Sequence, residues 1–366
     1  MDPRHLETVR ALRARLHACP ELSGREHVTT DVIYDFLSYY TTLRLERMDG
    51  WLLATHREGE GLAEIGLRAD MDAIPVEGMP GTARHGCGHD GHSAILCGLA
   101  LAIEGQRLGR NVHLIFQGGE ETGIGARRIC ASWPALGGLH RIYGLHNIPG
   151  FPVGTLLVRS GCFACASEGL IVRIHGRPAH AADPAAGANP AALLSRLVLA
   201  LPALIDGVLD GGDRLLMHTV IGLHAGGENF GLSAADGQLC LTLRGHRQSD
   251  IDALEAAIRR FTQAGCAEED MRCDFETRDV FPDTSNPAAI VDEAVGRWAA
   301  SGMHPVILDT PMRWSEDFGW YLKQVPGMFF GIGSGEHCPG LHTDDYLFPD
   351  AVIAPAVDAF AALLRG

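Results

Sequence analysis

Short apolar runs and helical stretches alternate along the first half of this chain, and that alternation limits the possible folds more than any other feature. Strand-like runs lie near 51–55, 64–69, 111–116 and 142–146, and helical spacing marks 6–16, 26–39 and 91–104. Such alternation predicts an α/β architecture: a mixed, mostly parallel sheet with helices on both faces, whose ligands sit beyond the carboxyl ends of the strands.

The pattern changes between 166 and 279. There the order reads strand (170–175), helix (190–209), strand (217–224), strand (238–245), helix (250–264), strand (271–277), the βαββαβ order of a ferredoxin-like unit. Afterwards a helix (287–300), a strand (305–308), a helix (315–323), a strand (328–332) and a last helix (351–364) restore the α/β character. At 366 residues the chain exceeds what one core usually supports. The expected division is an α/β domain from 1–165 and 280–366 with an inserted domain at 166–279. The insert's four-stranded sheet would leave an edge strand free to pair across a two-fold axis, so a homodimer is expected.

A formal net charge of -15 argues against nucleic acid and anionic membrane surfaces, both of which need a basic footprint. A small-molecule substrate that is itself anionic would need a local cationic clamp. No apolar run is seen to approach the roughly 20 residues that a membrane span needs. Ten cysteines without framework spacing, behind a start (Met1-Asp2-Pro3-Arg4-His5) that lacks an apolar signal core, predict free thiols in a reducing cytoplasm. The 18 histidines hint at metal or acid-base chemistry.

That chemistry centres on Arg84-His85-Gly86-Cys87-Gly88-His89-Asp90-Gly91-His92, where a glycine-hinged turn can aim a soft sulfur and an imidazole nitrogen at one point. A packed, buried turn is the plainer reading. Asp70 and Asp72 alternate at a strand exit, where they either orient metal ligands or form a charged end. Glu120 and Glu121 follow an apolar strand; one could bind an ion while the other, buried and unligated, moves a proton. His146 and His342 each end a Gly-Leu-His phrase. Cys87, His89, Glu121, His146 and His342 are too many donors for one tetrahedral ion and suit two ions sharing a ligand. Cys162 and Cys165 form a C-x-x-C with no second pair and read as packing.

Across nearly its whole length the chain resembles the M20 family of metallopeptidases and amidohydrolases, in particular the branch of N-acyl-amino-acid amidohydrolases, hippurate hydrolases and auxin-conjugate hydrolases. The matching phrases include Leu16-His17-Ala18-Cys19-Pro20-Glu21-Leu22, Arg68-Ala69-Asp70-Met71-Asp72-Ala73, Cys87-Gly88-His89-Asp90-Gly91-His92, Gly144-Leu145-His146, Ala179-His180-Ala181-Ala182, Ser315-Glu316-Asp317-Phe318 and Leu341-His342. The resemblance implies two divalent ions (Zn, Mn, Co or Ni) held by Cys87, His89, Glu121, His146 and His342, with Cys87 as the bridge. It further implies Glu120 as general base and acid, Asp72 as a supporting acid, the insert as a lid, and His180 as a histidine that reaches a partner subunit's site to stabilise the oxyanion.

Arg244 falls where related enzymes hold a substrate carboxylate, and a sheet-surface salt bridge is its other reading. Three departures stand out: Gln117-Gly118-Gly119-Glu120-Glu121 replaces Gln-Pro-Ala-Glu-Glu, the segment between Pro75 and Cys87 is short, and Gly231 replaces an asparagine. Asn229, two residues earlier, is the nearest substitute for that asparagine in binding substrate. The expected activity is hydrolysis of the amide bond of an N-acyl amino acid or similar conjugate. The alternatives are a metallo-exopeptidase or dipeptidase, and a catalytically silent metal- or ligand-binding protein on the same fold.

Overall fold

The computed structural model describes residues 1–365 and divides into two compact units. The first comprises Met1–Phe163, Thr284–Met312 and the chain from Glu316 onward; the second comprises Ala164–Asp283 with Arg313–Ser315. The second unit thus begins and ends a few residues outside 166–279. Its last strand, Arg272–Phe281, outruns the apolar pattern, and Arg244 bonds to the short return at Arg313 and Ser315.

An eight-stranded sheet organises the first unit, in the order Arg44–Met48, Trp51–His56, Arg110–Gln117, Ala63–Asp70, Arg141–Ile148, Gly327–Gly333, Leu156–Val158, Val306–Ile307. The four central strands run parallel to one another, while Trp51–His56 and Leu156–Val158 join them antiparallel. Arg44–Met48 pairs with Trp51–His56 across a two-residue Asp49-Gly50 turn, the usual signature of a tight hairpin. The apolar helix His89–Ile103 is buried at every residue except Ala102, as a helix apolar on all sides must be. It packs against the helices Pro3–His17 and Ile353–Leu364 and against the strand Ala63–Asp70. A wholly buried helix is a rigid base for the residues at its N-terminus.

One expected element is different in kind. The helix predicted over 315–323 is only Gly319–Leu322, because Glu316 and Asp317 turn inward to a buried arginine.

The second unit is an antiparallel sheet in the order Leu216–Ala225, Asp236–Gly245, Ala166–His175, Arg272–Phe281, covered by the helices Pro190–Leu209 and Gln248–Glu268. Leu170, Val172, Ile174, Leu239, Leu241 and Leu243 meet Leu193, Leu194, Leu197, Ile251 and Leu254 in its core. The expectation about apolar runs needs correcting here: Pro190–Leu209, 20 residues with an 18-residue stretch of mean hydropathy 1.9, is long and apolar enough to cross a membrane by length and composition. In this structure one of its faces supplies core leucines to the sheet. No disulfide joins cysteines among the described residues.

Glu168 is buried in this unit at an irregularity in the pairing of Ala166–His175 with Arg272–Phe281. Burial, and then the neighbouring Glu255 carboxylate, push its pKa up to about 8 from 4.5. The folded unit therefore keeps a proton that the unfolded chain has already released, and stability falls as pH rises from 4.5 through about 8. Glu168→Gln should raise the unfolding temperature at pH above that window and leave it nearly unchanged below it, as scanning calorimetry at both pH values would show.

Candidate metal centre

Three parallel neighbours, Arg110–Gln117, Ala63–Asp70 and Arg141–Ile148, end at the same edge of the sheet. The first leads into Glu120 and Glu121, the second into Asp72, and the third carries His146 near its end. The turn that starts the buried helix brings Cys87 and His89 to the same edge. Gly88 makes that turn possible, with φ of +98° and an Asn147 oxygen only 2.4 Å from where a Cβ would lie. His342 arrives on the loop after Gly327–Gly333, which lies beside Arg141–Ile148.

Two sets of donors converge. In Cys87, His89 and His146 the ligand atoms all lie within 4.8 Å of one another, and the same holds for Cys87, Glu121 and His342. Cys87 belongs to both. Its Sγ is 3.5 Å from His146 Nε2, His89 Nε2 is 3.8 Å from Glu121 Oε1, and His342 Nε2 is 3.6 Å from that same oxygen. His89 Nε2 and Glu121 Oε1 are buried without a hydrogen-bond partner. A buried polar atom without a partner is costly, and a cation between these atoms would remove that cost. A thiolate, imidazoles and a carboxylate suit a transition-metal ion. The residues fit such ions.

Supporting bonds aim the donors. Asp72 receives Ser23 Oγ at 2.7 Å and the backbone N–H of Glu121 at 3.0 Å, and its carbonyl oxygen lies 2.9 Å from His89 Nδ1. One residue thus orients a histidine and the glutamate turn together, with His89 Nε2 left facing the centre. His146 Nδ1 is 2.8 Å from the Asn147 carbonyl, which likewise commits its other nitrogen inward. His92, also close to Asp70 and His89, is taken up by Asp70 at 2.6 Å and by the Asn147 side chain at 2.6 Å.

Glu120 belongs to neither donor set around Cys87, although its carboxylate is 4.0 Å from His89 Nε2. Burial, followed by Glu316, Glu121 and Asp317, holds its pKa well above the ordinary glutamate value. Burial and the Glu121 charge raise the Cys87 thiol, whereas the neighbouring Cys87 and Glu121 side chains raise His342 to about 10. Burial, with His92 next, keeps His146 neutral.

Behind Glu120 lies a buried group whose role the sequence reading missed. Arg68 is completely enclosed and bonds Asp70 at 2.8 Å, Asp317 at 2.8 Å, Gln117 at 2.9 Å and Glu316 at 3.0 Å. An arginine inside the apolar run 65–69 was the available signal. A cleft of about 760 Å³ opens beside Glu121 and His342, with Arg25, Arg84 and Glu77 on its walls.

The remaining predicted residues belong to the second unit. His180 is exposed, and its Nδ1 accepts the Ala182 N–H at 3.0 Å. Asn229 Oδ1 accepts the Gly231 N–H at 3.0 Å, closing a local turn. Arg244 makes no salt bridge among the described residues, contrary to one of its two expected readings; Nη1 donates to Arg313 O at 2.5 Å and to Ser315 Oγ at 2.6 Å.

Comparison with known proteins identifies relatives of the whole chain. The chain is 30% identical over 340 residues to an N-acetyl-L-cysteine deacetylase of Bacillus subtilis (strain 168), covering 89% of this chain and 80% of that protein. It is 27% identical over 356 residues to an N-acetyldiaminopimelate deacetylase of Exiguobacterium sibiricum, covering 92% and 95%. Its fold matches the crystal structure of the Bacillus subtilis YXEP protein, a dinuclear metal binding peptidase from M20 family, with a TM-score of 0.80 at 24% identity over 100% of this chain and 98% of that one. The model of peptidase family M20/M25/M40 matches residues 66–366, and the chain belongs to that family.

Proposed function

We propose that this metal-dependent amide hydrolase is dinuclear and removes the acyl group from N-acyl amino acids. The observation that carries the reading is the Cys87 thiol common to two three-donor sets, with the buried Glu120 carboxylate beside them and outside both. Deacetylases of N-acetylated amino acids among the relatives support the substrate class. The thiol favours zinc, cobalt or nickel, and the carboxylate and imidazoles accept manganese as well.

Two divalent ions bound by these donors would supply Lewis acidity toward the amide carbonyl and toward a water. Glu120 takes the proton from the attacking water and delivers it to the departing amine. Its elevated pKa fits both duties, because a carboxylate that holds a proton more firmly than usual is a better base beforehand and a competent acid afterwards. His180 accepts the Ala182 N–H at Nδ1, so its own proton sits on Nε2, as a donor to a developing oxyanion requires. In this reading it serves the site of a partner subunit. The dimer would form through the edge strand Leu216–Ala225, where Ile221 and Leu223 are exposed. Arg244, fixed through Nη1, keeps Nε and Nη2 for the substrate carboxylate, and Asn229, on the loop before the strand Asp236–Gly245, is the second candidate to bind substrate.

Glu120→Gln should retain both ions by elemental analysis while kcat drops by about 10²–10⁴-fold. Cys87→Ser should lower the metal-to-protein ratio itself. Near-normal turnover in the first variant would remove Glu120 from the mechanism, and an undiminished ratio in the second would remove Cys87 from the ligand set.

His180→Ala should cut kcat by about 10²–10³-fold with metal content intact, and light scattering should find a dimer. A monomer that is fully active would end the cross-subunit role. Acetyl-, benzoyl- and indoleacetyl-amino acids assayed beside dipeptides should show hydrolysis of the acylated amines; preference for a free amine would make the enzyme a dipeptidase.

A further inference from the structure

Of the five proposed donors, His342 is held least securely by packing: its side chain is 54% exposed, while that of Glu121 is 16% exposed and that of His89 is enclosed. Its backbone also adopts φ of +66°, in the left-handed region that side chains other than glycine seldom occupy. Something must hold the loop in that conformation. Three hydrogen bonds fasten it to the turn that carries Cys87: His342 N–H donates to Gly86 O at 2.7 Å, Arg84 Nη2 donates to His342 O at 2.6 Å, and Arg84 Nη1 donates to Thr343 O at 2.9 Å. Asp344, a fully exposed carboxylate 3.5 Å from the guanidinium, adds little.

The turn is shaped for this guanidinium. A Cβ on Gly86 would lie 2.6 Å from Arg84 Nη1 and 2.6 Å from Ile74 Cδ1, and the φ of Gly86 is not in the left-handed region. The missing side chain leaves the guanidinium its present place, from which a methyl group would shift it. Arg84 can therefore fold back over the turn and reach the two carbonyls of the opposite loop.

We infer that Arg84 is a positioning residue for the outer ion: by clamping the carbonyls of His342 and Thr343 it holds His342 against Cys87 and Glu121 and sets how firmly that ion is retained. The inference rests on the dinuclear reading above. Charge alone predicts the opposite, since a guanidinium on the wall of the same cleft repels a cation, and its removal would tighten binding. The sign of the effect therefore separates a clamp from a bystander.

The test is Zn²⁺ titration and chelator-driven Zn²⁺ release in the full-length protein, with His342→Ala marking which phase belongs to the outer ion. Wild type should bind two ions. Arg84→Met should weaken the outer one by about 10–100-fold and leave the inner one in place, with Arg84→Lys between them. Gly86→Ala, whose methyl group displaces the guanidinium without removing it, should shift the same phase in the same direction. A purely structural role would loosen both ions together and lower the unfolding temperature. Equal or tighter outer-ion binding in Arg84→Met and Gly86→Ala would overturn the clamp while leaving the dinuclear reading intact. A wild type that binds fewer than two ions would overturn both.

Discussion

The Arg68 guanidinium, sealed inside the central sheet, is the interaction on which the rest of the centre depends. It bonds Asp70, Glu316 and Asp317 together, three carboxylates contributed by segments far apart in the chain. One positive charge cannot offset three negative ones in a medium that solvates none of them. The excess shows in the acids themselves: burial, with Asp317 and Asp70 and against the pull of Arg68, pushes Glu316 up to about 8. Arg68 with Asp70 and Asp317 then forms a fully bonded network, closed by Gln117, the Ala126 N–H and the Tyr321 hydroxyl. Glu120 sits on top of this network, and the crowding of acids beneath it is what keeps its carboxylate basic.

A second consequence follows from the parallel strands. Because their carboxyl ends share an edge, one residue at a strand exit can brace two ligand-bearing turns. Asp72 does so for His89 and for the backbone of Glu121, and Asp70 does so for His92, which continues through Asn147 to Tyr346. The donors on the Cys87 turn, the Glu121 turn and the His146 strand are thus aimed before any ion arrives. Preorganisation of this kind lets ion binding proceed without the cost of ordering the ligands.

The sheet, the inserted unit and the convergence of the Cys87, His89, Glu121, His146 and His342 segments were legible in the sequence because each rests on a local rule. Apolar periodicity marks strands and helices, and in a parallel sheet the strand ends define where donors can meet. What the sequence hid was set by long-range pairing. The strand Arg44–Met48 is polar and half exposed, so its apolar pattern is weak, although Asp49-Gly50 is a hairpin signal. The stretch 315–318 has helical spacing, but bonds from Glu316 and Asp317 to Arg68 outweigh helix propensity. The bonds that fix Arg244 Nη1 come from Arg313 and Ser315, some seventy positions away, and no window of sequence around Arg244 contains them. The sheet-packing side of Pro190–Leu209 depends on partners that no window of sequence contains.

The two proposed ion positions differ in how the chain surrounds them, and the difference has a physical origin. His89 and His146 are fixed on a buried helix and a central strand, so the ion they would share with Cys87 lies against the protein core. The other position is completed by Glu121, part-buried, and His342, on an exposed loop beside a cleft of about 760 Å³. A loop donor can yield more readily than one in a packed element, because fewer contacts must break for it to move. The outer position therefore faces the side from which a small substrate in that cleft would approach, and the inner one is insulated from it. A thiol common to both donor sets suits this asymmetry: Cys87 is itself buried, so it belongs to the packed side while it would also serve the exposed one. Chemistry at the cleft can then disturb the outer ligands without releasing the donors that anchor the centre to the sheet.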